Sequence, residues 1–156
     1  MNIFTVSFFG HRIIERPFLI EHRLEELIHR LLREKEYVDF MVGRSGDFDQ
    51  RASSAVLRIR KTMGNHNSSL ILVLPYPTAE YLNNQEYFED YYSYIEVSDA
   101  ASVAHRKAAY QIRNREMVDR SDLIACYIER ESGGAWQTVK YAMEKGKTVI
   151  NLAKED

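Results

Sequence analysis

The chain has 156 residues, 45% hydrophobic and 28% charged, with a formal net charge of −2; that suits one domain with a core of its own, and it excludes wholesale disorder and a uniformly basic nucleic-acid binder. The single cysteine, Cys126, excludes an intrachain disulfide. No apolar run approaches the roughly 18–20 residues of a membrane span, and Met1-Asn2-Ile3-Phe4-Thr5 lacks the basic start of a signal peptide, so a soluble cytoplasmic protein with no membrane partner is expected.

Ile3 to Phe9 reads IFTVSFF. A run so continuously apolar, β-branched and aromatic predicts a strand buried on both faces, as in a parallel sheet. It ends at Gly10-His11-Arg12. A helix follows, with Pro17 in its first turn and Leu24, Leu27, Ile28, Leu31 and Leu32 recurring on one face. Tyr37 to Val42 is a second strand, ending at Gly43-Arg44-Ser45-Gly46-Asp47. A second helix is predicted from Asp47 or Phe48 to about Met63, with Ala52, Val56, Ile59 and Met63 inward. Ser69 to Leu74 is a third buried strand, closed by Pro75-Tyr76-Pro77.

The stretch at about residues 76–97 breaks this rhythm. It holds six of the ten tyrosines, a segment resembling a short helix from Gln85 to Tyr92, and a short strand from Tyr94 to Val97. Connections this long are often lids or partner surfaces. A helix is then predicted from Val103 to Val118, a strand from Ser121 to Ile128, and a loop from Glu129 to Gly134. A helix from about Ala135 to Lys145 follows, with Trp136, Val139, Ala142 and Met143 on its apolar face and Gly146 as its C-cap. Lys147 to Leu152 is the last strand. Strands alternating with helices over 1–156, with no repeat or linker, predict a single α/β domain: a doubly wound, mostly parallel Rossmann-like sheet flanked by helices, with right-handed crossovers and a Tyr-rich insertion.

In such sheets ligands bind outside the carboxyl ends of the strands, near the switch in strand order. Three glycine-bearing loops follow strands here: Gly10-His11-Arg12, Gly43-Arg44-Ser45-Gly46-Asp47, and Ser132-Gly133-Gly134 leading into Ala135. Glycine admits close approach of a ligand, helix N-termini offer free amides, and Arg12 and Arg44 add positive charge. A phosphate or carboxylate ligand is the simple reading; the steric needs of strand-to-helix turns are the competing one. Asp47 suits either a ribose hydroxyl or the cap of its own helix. Neither GxGxxG nor GxxxxGK[ST] occurs.

Arg113-Asn114-Arg115-Glu116-Met117 precedes the strand SDLIACYI. Its charges read as a solvated helix face, Met117 as core, and Arg113 and Asn114 as side chains pointing about 100° apart. His11, His22, His29, His66 and His105 show no metal-ligand spacing, and no GxSxG elbow marks a hydrolase. Cys126, in a buried strand, reads as a structural thiol. The tyrosines suit stacking on a ring or an interface between subunits; Glu80, Glu86, Glu89, Asp90 and Glu96 beside them disfavour a nucleic-acid backbone.

Taken in order, Gly10-His11-Arg12, Gly43-x-x-Gly46-Asp47, Arg113-Asn114 with Met117-Val118-Asp119 and Ser121-Asp122, Gly133-Gly134 and the closing KTVINL resemble the SLOG superfamily, the Rossmann-like group of the DprA/Smf and LOG proteins. Within it the chain looks most like the small bacterial and phage proteins of the DUF1273 branch, related to YpsA and YoqJ. The resemblance implies a nucleotide or nucleotide-derived phosphorylated ligand at the strand ends and a homodimer; no cofactor or metal is expected. It places the ligand against Gly10, His11, Arg12, Gly43, Arg44, Ser45, Gly46, Asp47, Arg113, Asn114, Ser132, Gly133, Gly134 and Ala135. LOG enzymes cleave ribose 5′-phosphate from nucleotides with a PGGxGTxxE motif. Laid on Gly133-Gly134, that motif meets Trp136 and Gln137, and Lys140 where the catalytic glutamate stands. The implied function is therefore binding or sensing rather than hydrolysis. The alternatives are a LOG-like hydrolase using Glu116 or Asp47, and a DprA-like single-strand DNA binder.

Overall fold

A computed structural model describes residues 1–154. Its six strands are β1 (Ile3–Gly10), β2 (Tyr37–Val42), β3 (Ser68–Leu74), β4 (Tyr94–Val97), β5 (Leu123–Tyr127) and β6 (Thr148–Asn151). They form one sheet in the order β4-β3-β2-β1-β5-β6, and every neighbouring pair is parallel. The helices are α1 (Pro17–Glu34), α2 (Asp47–Met63), α3 (Ala79–Leu82), α4 (Gln85–Tyr91), α5 (Asp99–Ser102), α6 (Arg106–Arg120) and α7 (Gly133–Glu144). This is a doubly wound, Rossmann-like α/β fold.

Successive side chains of a strand point to opposite faces, and the central strands are apolar on both. Phe8, Phe40, Leu70 and Leu72 pack with α1, α2 and Phe88 of α4 in one core layer. Phe9, Met41, Ile71 and Val73 pack with Met117 and Val118 of α6 and Val139 and Ala142 of α7 in the other. Met117 and Cys126 are thus core, as their positions in the sequence suggest. Among the described residues, no helix is long and apolar enough to cross a membrane.

Two segments differ from expectation. The helix expected from Val103 begins at Arg106. Ser98 starts a separate short turn by accepting from the Ala101 amide, and the His105 side chain caps α6 by accepting from the Lys107 amide. Val103 is left exposed in the break. The Tyr-rich stretch contains α3 as well as α4. Thr78 caps α3, Phe88 and Tyr92 are driven into the core, and β4 adds to the sheet beside β3. On α7, Thr138 is buried and Met143 is exposed.

Candidate functional site

The strand order reverses between β1 and β5, because the chain runs from β1 through β2 to β4 on one side and returns to β5 on the other. The loops leaving the carboxyl ends diverge there and open a crevice. A cleft of about 440 Å³ occupies that position, within the ordinary size range of small-molecule sites. Gly10, His11, Arg12 and Ile13 line it from the end of β1, Gly43 and Ser45 from the end of β2, and Asp49 from the first turn of α2. Tyr110, Gln111, Arg113 and Asn114 reach it from α6, and Arg130 and Gly133 to Ala135 from the end of β5.

The loop after β1 is built on packing. A Cβ on Gly10 would lie 2.5 Å from the Phe48 ring, which is fully buried and stacks on Tyr127. Gly10 therefore makes room for the core as well as lining the cleft. Gly46 lies against the backbone of Arg12, 2.7 Å from where its own Cβ would be, and the Asp47 amide donates to the Arg12 carbonyl at 3.0 Å. Gly46 and Asp47 thus fasten two loops together and lie outside the cleft lining. The Asp47 carboxylate accepts from Arg51 Nε at 3.1 Å, and no side-chain hydrogen bond caps the start of α2. The loop-closing acid is Asp49, whose Oδ2 accepts from the Ser45 amide at 2.8 Å. Burial pushes its carboxyl above the usual range, despite the opposing charges of Arg113 and Arg12.

His11 is buried. Its amide donates to the Tyr127 carbonyl at 3.1 Å, its ring meets Tyr127 edge-on, and Nε2 accepts from the Arg130 amide at 3.4 Å. Burial, and then the Arg130 charge, hold its pKa below 6.5. His11 is thus a neutral acceptor that positions the loop after β5.

Arg44 turns away from the cleft. Its guanidinium donates to Glu80 at 3.1 Å and to the Tyr92 hydroxyl at 3.0 Å, and lies 4.7 Å from the centre of the Phe88 ring. The Tyr-rich segment thus occupies the side chain expected to meet a phosphate. Arg130, in the loop after β5, lines the cleft instead.

Arg113 and Asn114 act together, contrary to their 100° offset on a helix. Arg113 is 3% exposed. Its Nη1 donates to the Val73 carbonyl at 2.6 Å and its Nε to Asn114 Oδ1 at 2.8 Å. Asn114 Nδ2 then donates to Thr138 Oγ1 at 2.9 Å, and that hydroxyl donates to the Gly134 carbonyl at 3.1 Å. Gln111 Nε2 also donates to Gly134 O at 3.1 Å. This chain of bonds ties α6 to the first turn of α7. Gly133, at φ +90°, starts that turn in a backbone conformation few other residues adopt, and the first amides of α7 are left without helical partners.

Ser132 is exposed, makes no side-chain cap and does not line the cleft. Glu116 is likewise outside it. It stands one turn from Arg120, whose charge it helps stabilise, because i, i+4 residues share a helix face. Lys140 is exposed on α7. The sequence reading missed Asp49, Tyr110, Gln111, Arg130 and Thr138. Asp49 had a visible signal: a carboxylate at the third helical position commonly reaches back to a preceding amide.

A larger open depression of about 890 Å³ runs along α1 to the end of β6. Solvated side chains wall it, including an exposed His22–Glu26 pair, and the convergence of buried charge and backbone amides is at the cleft. Among the described residues, no group of three or more His, Cys, Asp or Glu is placed to hold a metal ion. No protein-family model matches the chain, and no curated protein matches it.

Proposed function

We propose that the cleft binds a phosphorylated, nucleotide-like ligand, with its phosphate at the N-terminus of α7 and Arg12 and Arg130 beside it. The observation that carries this is the convergence of the Gly133 to Ala135 backbone, Arg12, Arg130 and the buried Arg113 on one cleft at the switch in strand order. Free amides at a helix N-terminus favour an anion, and guanidinium groups pair with its oxygens. The half-exposed Tyr110 ring on the cleft wall suits a planar base. The resemblance to the SLOG proteins supports the nucleotide part of the reading.

Binding rather than hydrolysis is proposed. Cleaving an N-glycosidic bond calls for a carboxylate at the scissile bond; Glu116 stands by Arg120, Lys140 projects into solvent, and Asp49, the carboxylate of the cleft lining, lies at its floor with Oδ2 bound to the Ser45 amide. The test is isothermal titration with AMP, GMP, CMP, UMP and ribose 5-phosphate, with release of ribose 5-phosphate followed in parallel. Binding without turnover is expected, weakened at least tenfold in Arg130→Ala and unchanged in Arg44→Ala. No binding by any phosphate compound, or turnover of a nucleotide, overturns the reading. We also propose that two copies pair through the β4 edge, where Leu82, Tyr87 and Tyr94 are exposed together with the unpaired side of the strand.

A further inference from the structure

At the floor of the cleft a buried cation and a buried acid flank Gly43 without pairing with each other. Arg113 is 3% exposed and Asp49 9% exposed, and both line the cleft. A Cβ on Gly43 would lie 3.0 and 3.1 Å from Arg113 Nη1 and Nη2, and 3.2 Å from Asp49 Oδ2. Any other residue would put its side chain there. The internal bonds leave capacity on both sides. Nη1 and Nε of Arg113 are satisfied by Val73 and Asn114, and Nη2 has no partner among the described residues. Asp49 Oδ2 takes the Ser45 amide, and Oδ1 has no donor among them. No ion pair joins the two. Neither atom is sealed from solvent, since the buried side-chain atoms without a partner among the described residues are Arg60 Nε and Ser68 Oγ; both open to the cleft, and an occupant that displaces water there must complete them.

That occupant must offer an acceptor to the guanidinium and a donor to the carboxylate. A phosphate satisfies the first and is repelled by the second. It belongs at the α7 end, two strand spacings or about 10 Å across the sheet from β2 to β5. A pair of hydroxyls satisfies both.

We infer that Asp49 and Arg113, held apart by Gly43, read the hydroxyl groups of a sugar-bearing phosphorylated ligand and reject its deoxy counterpart. This rests on the cleft being a phosphorylated-ligand site. Asp49 is the specificity residue, and Gly43 lets both side chains pack close against the backbone at the cleft floor.

The test is titration of the whole chain with AMP, 2′-deoxy-AMP, 3′-deoxy-AMP and inorganic phosphate. Wild type is expected to bind AMP 10- to 100-fold more tightly than at least one deoxy form, since a site with buried polar groups discriminates strongly against a ligand that leaves them unpaired. Asp49→Asn keeps an oxygen for the Ser45 amide and should reduce that preference below about threefold, with phosphate affinity unchanged. Gly43→Ala, whose Cβ would crowd and displace both Arg113 and Asp49, should lose AMP at least tenfold and retain phosphate; circular dichroism verifies that both variants fold. Equal affinity for AMP and both deoxy forms, or an undiminished preference in Asp49→Asn, overturns the inference alone. Absence of binding by phosphate and AMP alike overturns the phosphorylated-ligand reading and the inference with it.

Discussion

At the scale of single residues, the cleft places charge where burial opposes it. Asp49 is the clearest case. Burial outweighs the attraction of Arg113 and Arg12, so its folded-state pKa lies above the 3.8 of the unfolded chain. The folded protein therefore holds the Asp49 proton more tightly than the unfolded chain does, and ionising the group costs folded-state stability. That cost is absent below pH 3.8 and complete above the folded pKa. Asp49→Asn should accordingly be more stable than the parent at pH 7.5, with a smaller gain at pH 4.5; denaturant unfolding at the two pH values measures it. An Asn variant less stable at pH 7.5 would show that pairing with the arginines outweighs burial. Stability set aside for a binding site is a common reason for such a group to persist.

At the scale of elements, the segment joining β3 to β4 holds Arg44. Its bond to Glu80 is exposed and contributes little. The Tyr92 hydroxyl and the Phe88 face are buried and matter more. Arg44→Ala removes a charged donor from Tyr92 and a cation from the ring, a loss of about 1–3 kcal/mol. The expected result is faster amide exchange across residues 79–92 together with a lower unfolding midpoint. Exchange unchanged in that segment would mean that α3 and α4 are held by their apolar contacts alone. The same contacts explain why Arg44 does not reach the cleft; Arg130 stands there because its amide is bound by His11 Nε2 in the loop after β5.

At the scale of the molecule, parallel strands and a reversal of strand order bring the ends of β1, β2 and β5 to one edge. The opposite problem is the β4 edge, a short strand with one side unpaired. Edge strands invite pairing with another chain, and tyrosine-rich patches are typical of interface cores. Light scattering at micromolar concentration should give twice the monomer mass of 18.3 kDa, and Tyr94→Glu should return it to the monomer. A monomer mass for the unaltered protein would remove the pairing proposal without touching the cleft.

Local chemistry was enough to place nearly every strand and helix, because continuous apolar runs and helical periodicity are properties of neighbouring residues. The bounds of β2 and α2 and the switch-point location of the cleft were legible in that way. The loops carrying Gly10, Gly43 and Gly133 could be sent to one edge because a parallel sheet leaves them no other place. Which side chains enter the cleft was not legible. The direction of Arg44 depends on Phe88 and Tyr92, 44 and 48 positions away. The pairing of Arg113 with the Val73 carbonyl needs α6 laid across β3. Asp49 rather than Asp47 faces inward because the turn of α2 is anchored on the Arg12 backbone. Sequence by itself determined the framework through short-range patterns of burial. The tertiary structure decided the site, since long polar side chains take their final partners from elements that only folding brings within hydrogen-bonding distance.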